Sequence, residues 1–210
     1  MKDKRYKKTI DVYKKLGKEY IKDTYKAKPA ELPEFFKLLL PEARILDVGC
    51  AGGRDSLLFS KAGYEVIGID VIDEFIKQAK KRVPKATFKK MDLMKLRFPN
   101  NYFNAIWAHA VLLHFKKTDL PKILKQFYKK LKPDGILHVR LKRGRGAGMF
   151  REKLADDQGR FFTFYYKHEV EKYLKKAGYK IIKSQILPDE LKRKNVKWIG
   201  IWARKPGFKL

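Results

Sequence analysis

At 210 residues, 44% of them apolar, the chain is long enough to bury the core of one domain and too apolar to be disordered. No apolar run reaches membrane-spanning length, the charged start does not read as a signal peptide, and the lone cysteine, Cys50, excludes an intrachain disulfide and a cysteine-rich zinc site. The formal charge of +28 exceeds what solubility requires, and it lies mainly in residues 116–210, which hold 27 basic and 9 acidic side chains.

In chain order, residues 1–28 predict a lysine-rich amphipathic helix, with Ile10, Tyr13, Leu16 and Tyr20 near one face. Pro29 and Pro33 interrupt it, and Leu32 to Leu40 forms a short second helix before Pro41. Residues 44–70 then read as one β-α-β unit. Ile45 to Val48 is a short apolar strand, and Gly49, Gly52 and Gly53 make a turn that brings backbone close to a ligand. A short helix from Ser56 stops at Gly63, and Val66 to Ile69 is the second buried strand. Asp47 precedes the glycines and Asp70 tips the second strand, which is where open parallel sheets bind ligands. A carboxylate at the second tip can accept both hydroxyls of a ribose. A dinucleotide fingerprint needs glycines at 49, 51 and 54, where the chain has Gly49, Ala51 and Arg54.

The run Asp47-Val48-Gly49-Cys50-Ala51-Gly52-Gly53, followed by Asp70, resembles motifs I and II of the class I S-adenosylmethionine-dependent methyltransferases, in particular the small single-domain type 11/25 members. Their usual pattern is an acid, one apolar residue, then G-x-G-x-G; Ala51 replaces the middle glycine. The resemblance implies a three-layer α-β-α sandwich around a seven-stranded, mostly parallel sheet with the last strand antiparallel. It implies S-adenosylmethionine as cofactor and S-adenosylhomocysteine as product. Cofactor contacts are then expected from Asp47, Gly49, Cys50, Ala51, Gly53, Arg54, Asp70 and Val71. Residues 1–40 become a helical lid whose Tyr13 and Tyr20 touch the cofactor or pack the helix onto the body, and residues 41–210 the methyltransferase domain.

Beyond Asp70, Val71 to Arg82 predicts a helix and Ala86 to Lys89 a third strand. In the resembled family the acid after that strand meets the adenine amino group, which assigns Asp92, flanked by Met91 and Leu93, to the adenine. Tyr102 to Ala108 is the fourth strand, with Asn104 where the family usually has an acid and Ala108 beside the cofactor. His109 lies just past the strand tip and is a candidate general base; His114 follows an apolar pair and suits local packing. The few histidines lack metal-ligand spacing. Thr118 and Pro121 start a helix that runs to about Leu131, and Lys132-Pro133-Asp134-Gly135 is a turn into the fifth strand, Ile136 to Leu141. Residues 142–148, KRGRGAG, read as a flexible basic loop, in which Lys142, Arg143 and Arg145 either clamp an anionic group of the acceptor or stand in solvent. The aromatic run 159–166 packs over the acceptor pocket or the sheet edge. A helix over Lys167 to Ala177 and two closing strands, Tyr179 to Leu187 and Val196 to Arg204, complete the chain.

The expected function is methyl transfer to an unidentified acceptor, a small molecule on grounds of size. A tRNA or other RNA acceptor, and a catalytically silent RNA- or partner-binding protein on the same fold, are the alternatives. The charge leaves two readings open: a basic face for nucleic acid or another polyanion, or lysines scattered over solvated helices. A cytoplasmic monomer or homodimer without membrane attachment is expected.

Overall fold

The computed structural model describes residues 4–151 and 159–207; the first three residues of the expected lid helix, and residues 152–158 and 208–210 of the expected 41–210 domain, lie outside the described residues. Helix α1 (Lys4–Tyr25) buries Thr9, Val12, Leu16 and Ile21 and breaks at Gly17, whose φ of 45° and ψ of −120° are not helical. Helix α2 (Leu32–Lys37) carries Pro33 in its first turn. The body follows as β1 (Arg44–Val48), α3 (Arg54–Lys61), β2 (Glu65–Asp70), α4 (Asp73–Arg82), β3 (Thr87–Lys90) and β4 (Phe103–His109). Then come α5 (Leu120–Lys130), β5 (Leu131–Lys142), β6 (Ala147–Phe150), β7 (Arg160–Thr163), α6 (Lys167–Lys176), β8 (Lys180–Pro188) and β9 (Lys197–Arg204).

Seven strands form one sheet in the order β3-β2-β1-β4-β5-β9-β8. The pairs from β3 to β5 are parallel, and β9 runs antiparallel to both β5 and β8. The sheet thus has the expected seven-stranded, mostly parallel form. Its two faces follow the period of a strand. Leu46, Val48, Ile67, Ile69, Ile106, Leu137 and Val139 pack with α5 and α6 residues on one face. Ile45, Val66, Ala105, Trp107, Ile136 and Trp202 meet Phe35 of α2 and Phe59 of α3 on the other. No helix among the described residues is long and apolar enough to cross a membrane.

Two expectations are corrected. The predicted turn at Lys132–Gly135 lies inside the long strand β5, as an irregularity where the β4–β5 register shifts between Phe103 and Ala105. Asp134 takes a φ of 60° there. Residues 142–148 are not one flexible loop. Lys142 ends β5, Ala147 opens β6, and β6 pairs antiparallel with β7 in a second, two-stranded sheet built from the aromatic run. The short link between them is tied down by Gly144 N–H to Tyr165 O (2.9 Å) and Phe164 N–H to Gly146 O (2.9 Å). Single-strand patterning does not reveal such a hairpin, because its pairing partners are separated by the segment 151–159.

Candidate functional site

The turn after β1 is a left-handed path. Gly49 (φ 71°), Ala51 (φ 45°) and Gly53 (φ 79°) all take positive φ, and the amides of Gly49 and Cys50 both donate to Ile69 O at the tip of β2 (2.8 and 3.0 Å). At Gly49 a Cβ would lie 2.6 Å from Val111 Cγ2, so the residue must be glycine for space as well as for φ. Asp70 braces this path from the next strand: Oδ2 accepts from Ala51 N–H and Oδ1 from Ile72 N–H, each at 3.1 Å. Burial pushes its carboxyl up to about 6 against the opposing pull of the Ala51, Ile72 and Val71 amides. Asp47 is buried and accepts from Ser56 Oγ (2.6 Å); burial and then the neighbouring Asp55 raise its carboxyl to about 7.

Helix α1 roofs this turn. Ile21 lies so close to Gly52 that a Cβ there would meet it at 2.7 Å, and Arg54 reaches the carbonyl of Thr24 (3.4 Å). Thr9 Oγ1 accepts from Phe161 N–H of β7 (2.8 Å). A hydrogen-bond chain adds to this junction. His114 is neutral, its pKa lowered to about 3 by burial, and Phe161 O can only accept, so Nδ1 carries the proton and donates to it (2.8 Å). Nε2 must then accept from the Tyr13 hydroxyl (2.9 Å), whose oxygen accepts from Arg160 Nη1 (2.7 Å). His114 packs as its sequence position suggested, but its bonds are not local: the partners lie in β7 and in α1. Tyr20 stacks on Phe75 (5.8 Å between centroids), and Tyr6 packs on Phe115 (4.8 Å).

The other end of the cleft is polar and paired. Arg140 of β5 is 1% exposed; its Nη1 lies 3.1 and 2.9 Å from the two oxygens of the fully buried Glu31 and 3.1 Å from His109 Nε2, and the guanidinium also pairs with Glu190. Burial lifts Glu31 to about 7, Arg140 opposing. Glu31, His109 and Glu190 converge within 4.8 Å, a donor set of the kind that holds a cation, but the guanidinium of Arg140 takes that position. Arg54 pairs with Asp55 (2.6 Å) and approaches His109 Nδ1 (3.3 Å); Asp55 also accepts from Trp107 Nε1 (2.9 Å). His109 stacks on Trp107 at 5.3 Å and 6°, and burial, with Arg140 and Arg54 adding, holds its pKa well below the ordinary value. Lys142 lies over the ring of Phe162 (3.9 Å) at the same end.

The protein-family description "Methyltransferase domain" matches residues 45–135. Phosphoethanolamine N-methyltransferase 3 of Arabidopsis thaliana is 33% identical over 102 residues, covering 46% of this chain and 20% of that protein. The 2-methyl-6-phytyl-1,4-hydroquinone methyltransferase of Synechocystis sp. is 33% identical over 105 residues, covering 48% of this chain and 32% of that protein. The chain thus matches well under half the length of these curated relatives. Among solved structures, the 1,6-didemethyltoxoflavin-N1-methyltransferase of Burkholderia thailandensis, with its substrate and S-adenosylhomocysteine bound, superposes with a TM-score of 0.76 at 20% identity, covering 96% of this chain and 88% of that one. A methyltransferase from Methanosarcina mazei gives 0.75 at 21%, covering 84% and 98%.

Residues 45–135 thus match a methyltransferase domain, and the chain takes the fold of the solved methyltransferases.

Of the residues expected to meet the cofactor, Asp47, Gly49, Cys50, Ala51, Arg54, Asp70, Val71, Met91, Leu93, Tyr13 and Tyr20 line the cleft. Gly53, Asp92 and Ala108 are not among its lining residues: Gly53 caps α3, Asp92 accepts from Met94 N–H (3.0 Å) to start a short 3-10 turn, and Ala108 is fully buried within β4. On the acceptor side His109 and Lys142 line the cleft, whereas Arg143 and Arg145 are exposed outside it. Sequence reasoning missed Tyr6, Glu31, Arg140, Arg160 and Glu190. Arg140 carried a readable signal, a charge inside the apolar run Ile136 to Leu141 on the same strand face as His138. Glu31 and Glu190 carried none.

Proposed function

We propose that the protein transfers the methyl group of S-adenosylmethionine to a small-molecule acceptor. The observation that carries this reading is the left-handed turn between two acid-tipped strands, roofed by α1. The residues present fit the cofactor. Each oxygen of Asp70 accepts one backbone N–H and keeps capacity for a ribose hydroxyl. Asp47, ionised, suits the ammonium of the methionine part, and the Gly49 turn admits close backbone approach. Met91, Leu93 and Tyr6 line an apolar part of the cleft that suits the adenine.

The bound cofactor supplies an activated methyl on a sulfonium, so the protein's own task is alignment and exclusion of water. In this reading residues 1–40 act as the lid, and α1 shields the turn through Ile21, Tyr13 and Tyr20. His109 is proposed as a fixed neutral wall of the acceptor end. A neutral imidazole has one acceptor nitrogen, and both of its nitrogens face guanidinium donors, so it is poorly disposed to take a proton from the acceptor. The acceptor then binds between His109, Lys142 and Phe162. We further propose a cytoplasmic location, which suits the reduced, buried Cys50.

Titration with S-adenosylhomocysteine by calorimetry, followed by transfer of labelled methyl groups into fractionated small-molecule extract, tests the reading. Binding weakened by about 100-fold in Asp70→Ala, with the fold retained, is the expected result. Wild-type affinity in that variant refutes the assignment.

A further inference from the structure

Behind the acceptor end, on the far side of Lys142 and Phe162, lies a second, shallow recess bounded by the β6–β7 hairpin and the turn that leads into β9. Its charge is unlike that of the main cleft. There three arginines are matched by acids: Arg54 by Asp55, Arg140 by Glu31 and Glu190, Arg193 by Asp189. The recess is lined by Arg143, Arg151, Lys197 and Lys142, with no acidic residue among the described residues of its lining. Arg143, Arg151 and Lys197 are exposed and have no ion-pair partner among the described residues.

Aromatic rings complete it. Phe150 is 40% exposed and stands edge-to-face on Phe164, with centroids 4.9 Å apart. Asn195 lines the same recess and offers an amide that both donates and accepts. The mounting is ordered: Arg143 N–H donates to Lys197 O (2.9 Å), which fixes two of the cations side by side. Unmatched cations next to an exposed ring, with a polar amide between, suit a ligand that is at once anionic and aromatic. A repeating phosphate with stacking bases has that chemistry, and the basic excess of residues 116–210 adds a long-range attraction for it.

We infer that this recess binds single-stranded nucleic acid, with a base against Phe150 and phosphates on Arg143, Arg151 and Lys197. The site is separate from the cofactor turn, so its occupation does not depend on methyl transfer. Because Lys142 and Phe162 line both the recess and the cleft, a strand held here has its neighbouring nucleotide beside the acceptor end.

The test uses the full chain and a fluorescein-labelled oligouridine RNA about 12 nucleotides long, followed by anisotropy between about 50 and 200 mM salt. Binding is expected to weaken with salt with a slope of about −2, the value for three neutralised phosphates on a single strand. The combined variant Arg143→Ala, Arg151→Ala, Lys197→Ala is expected to lose about tenfold or more in affinity and most of the slope. Phe150→Ala is expected to lose about fivefold and keep the slope, since stacking of one base is worth about 1 kcal/mol or more. Lys77→Ala with Lys81→Ala, on exposed positions of α4, serves as the charge control and is expected to bind RNA as the parent does. Affinity for S-adenosylhomocysteine and the thermal melting point should be unchanged in all three, which separates failure here from failure of the cofactor assignment. Absence of RNA binding overturns the inference, and so does an equal loss in the α4 control, which would mean diffuse charge. A triple variant that loses phosphatidylserine vesicles while keeping RNA also overturns it, in favour of a lipid surface.

Discussion

The two ends of the cleft solve the problem of holding a ligand in different ways. The turn end is built from one contiguous stretch, residues 44–72, in which Asp70 braces the backbone amides and Asp47 is held by the Ser56 hydroxyl. The polar end, where the acceptor is proposed to bind, is assembled from side chains far apart in the chain: Arg140 meets Glu31 across 109 positions, Glu190 across 50 and His109 across 31. The first design depends on local φ and close approach, and it tolerates little change in residue type. The second depends on charge balance in a dry environment, where each member is costly without the others.

The largest effect expected from this contrast is at Arg140. Replacing it with Met strands the buried Glu31 beside Glu190, and urea unfolding should show a loss of about 3–5 kcal/mol. A loss under 1 kcal/mol would mean that the acceptor end is not a coupled charge cluster. At the turn end, Asp70→Ala should weaken S-adenosylhomocysteine by about 100-fold, since two hydrogen bonds to a charged acceptor are worth about 3 kcal/mol together. Asp70→Asn, which keeps one acceptor oxygen for the turn, should lose less. Tyr13→Phe removes the hydroxyl shared by Arg160 and His114 and should cost about 1–3 kcal/mol, read as a lower melting point.

A pH series sharpens the same comparison. The carboxyl of Asp47 is raised in the folded protein, to about 7, above its unfolded value. The folded state therefore holds a proton that the unfolded chain has lost, and this group's contribution to stability is full below its unfolded pKa and lost as pH rises through about 7. An ammonium ligand has the opposite preference and pairs with the ionised form. S-adenosylhomocysteine should accordingly bind up to about tenfold more tightly at pH 8 than at pH 6, with proton release detectable by calorimetry in buffers of different ionisation enthalpy. A flat profile would sink the role given to Asp47. The smallest change is Ala51→Gly: a non-glycine residue at φ 45° is strained, and relieving it should stabilise the protein by up to about 1 kcal/mol.

How much of this was readable before folding follows from where the information lies. The β-α-β unit, both acids and the sheet were legible, because strand burial, a positive-φ turn and helix stops leave their marks within a few neighbouring residues. Reach across the cleft was not. Asp92 sits where expected in the chain, yet its carboxylate starts a 3-10 turn and stays out of the lining, because a side chain two residues from a free amide has a local partner within reach. Arg143 and Arg145 were grouped with Lys142 by proximity in sequence. The strand period turned Lys142 inward, and the chain left β5 immediately after it.

By itself the amino-acid order determined the sheet, the left-handed turn and the acids that flank it, since each rests on backbone preference and apolar periodicity, which act over short distances. Only the tertiary structure decided that α1 closes over that turn, that Glu31 and Glu190 share Arg140, and that Phe150 lines one recess with Arg143, Arg151 and Lys197. Those are meetings of side chains from distant segments, selected by the burial of charge and the geometry of packing, and no local pattern encodes them.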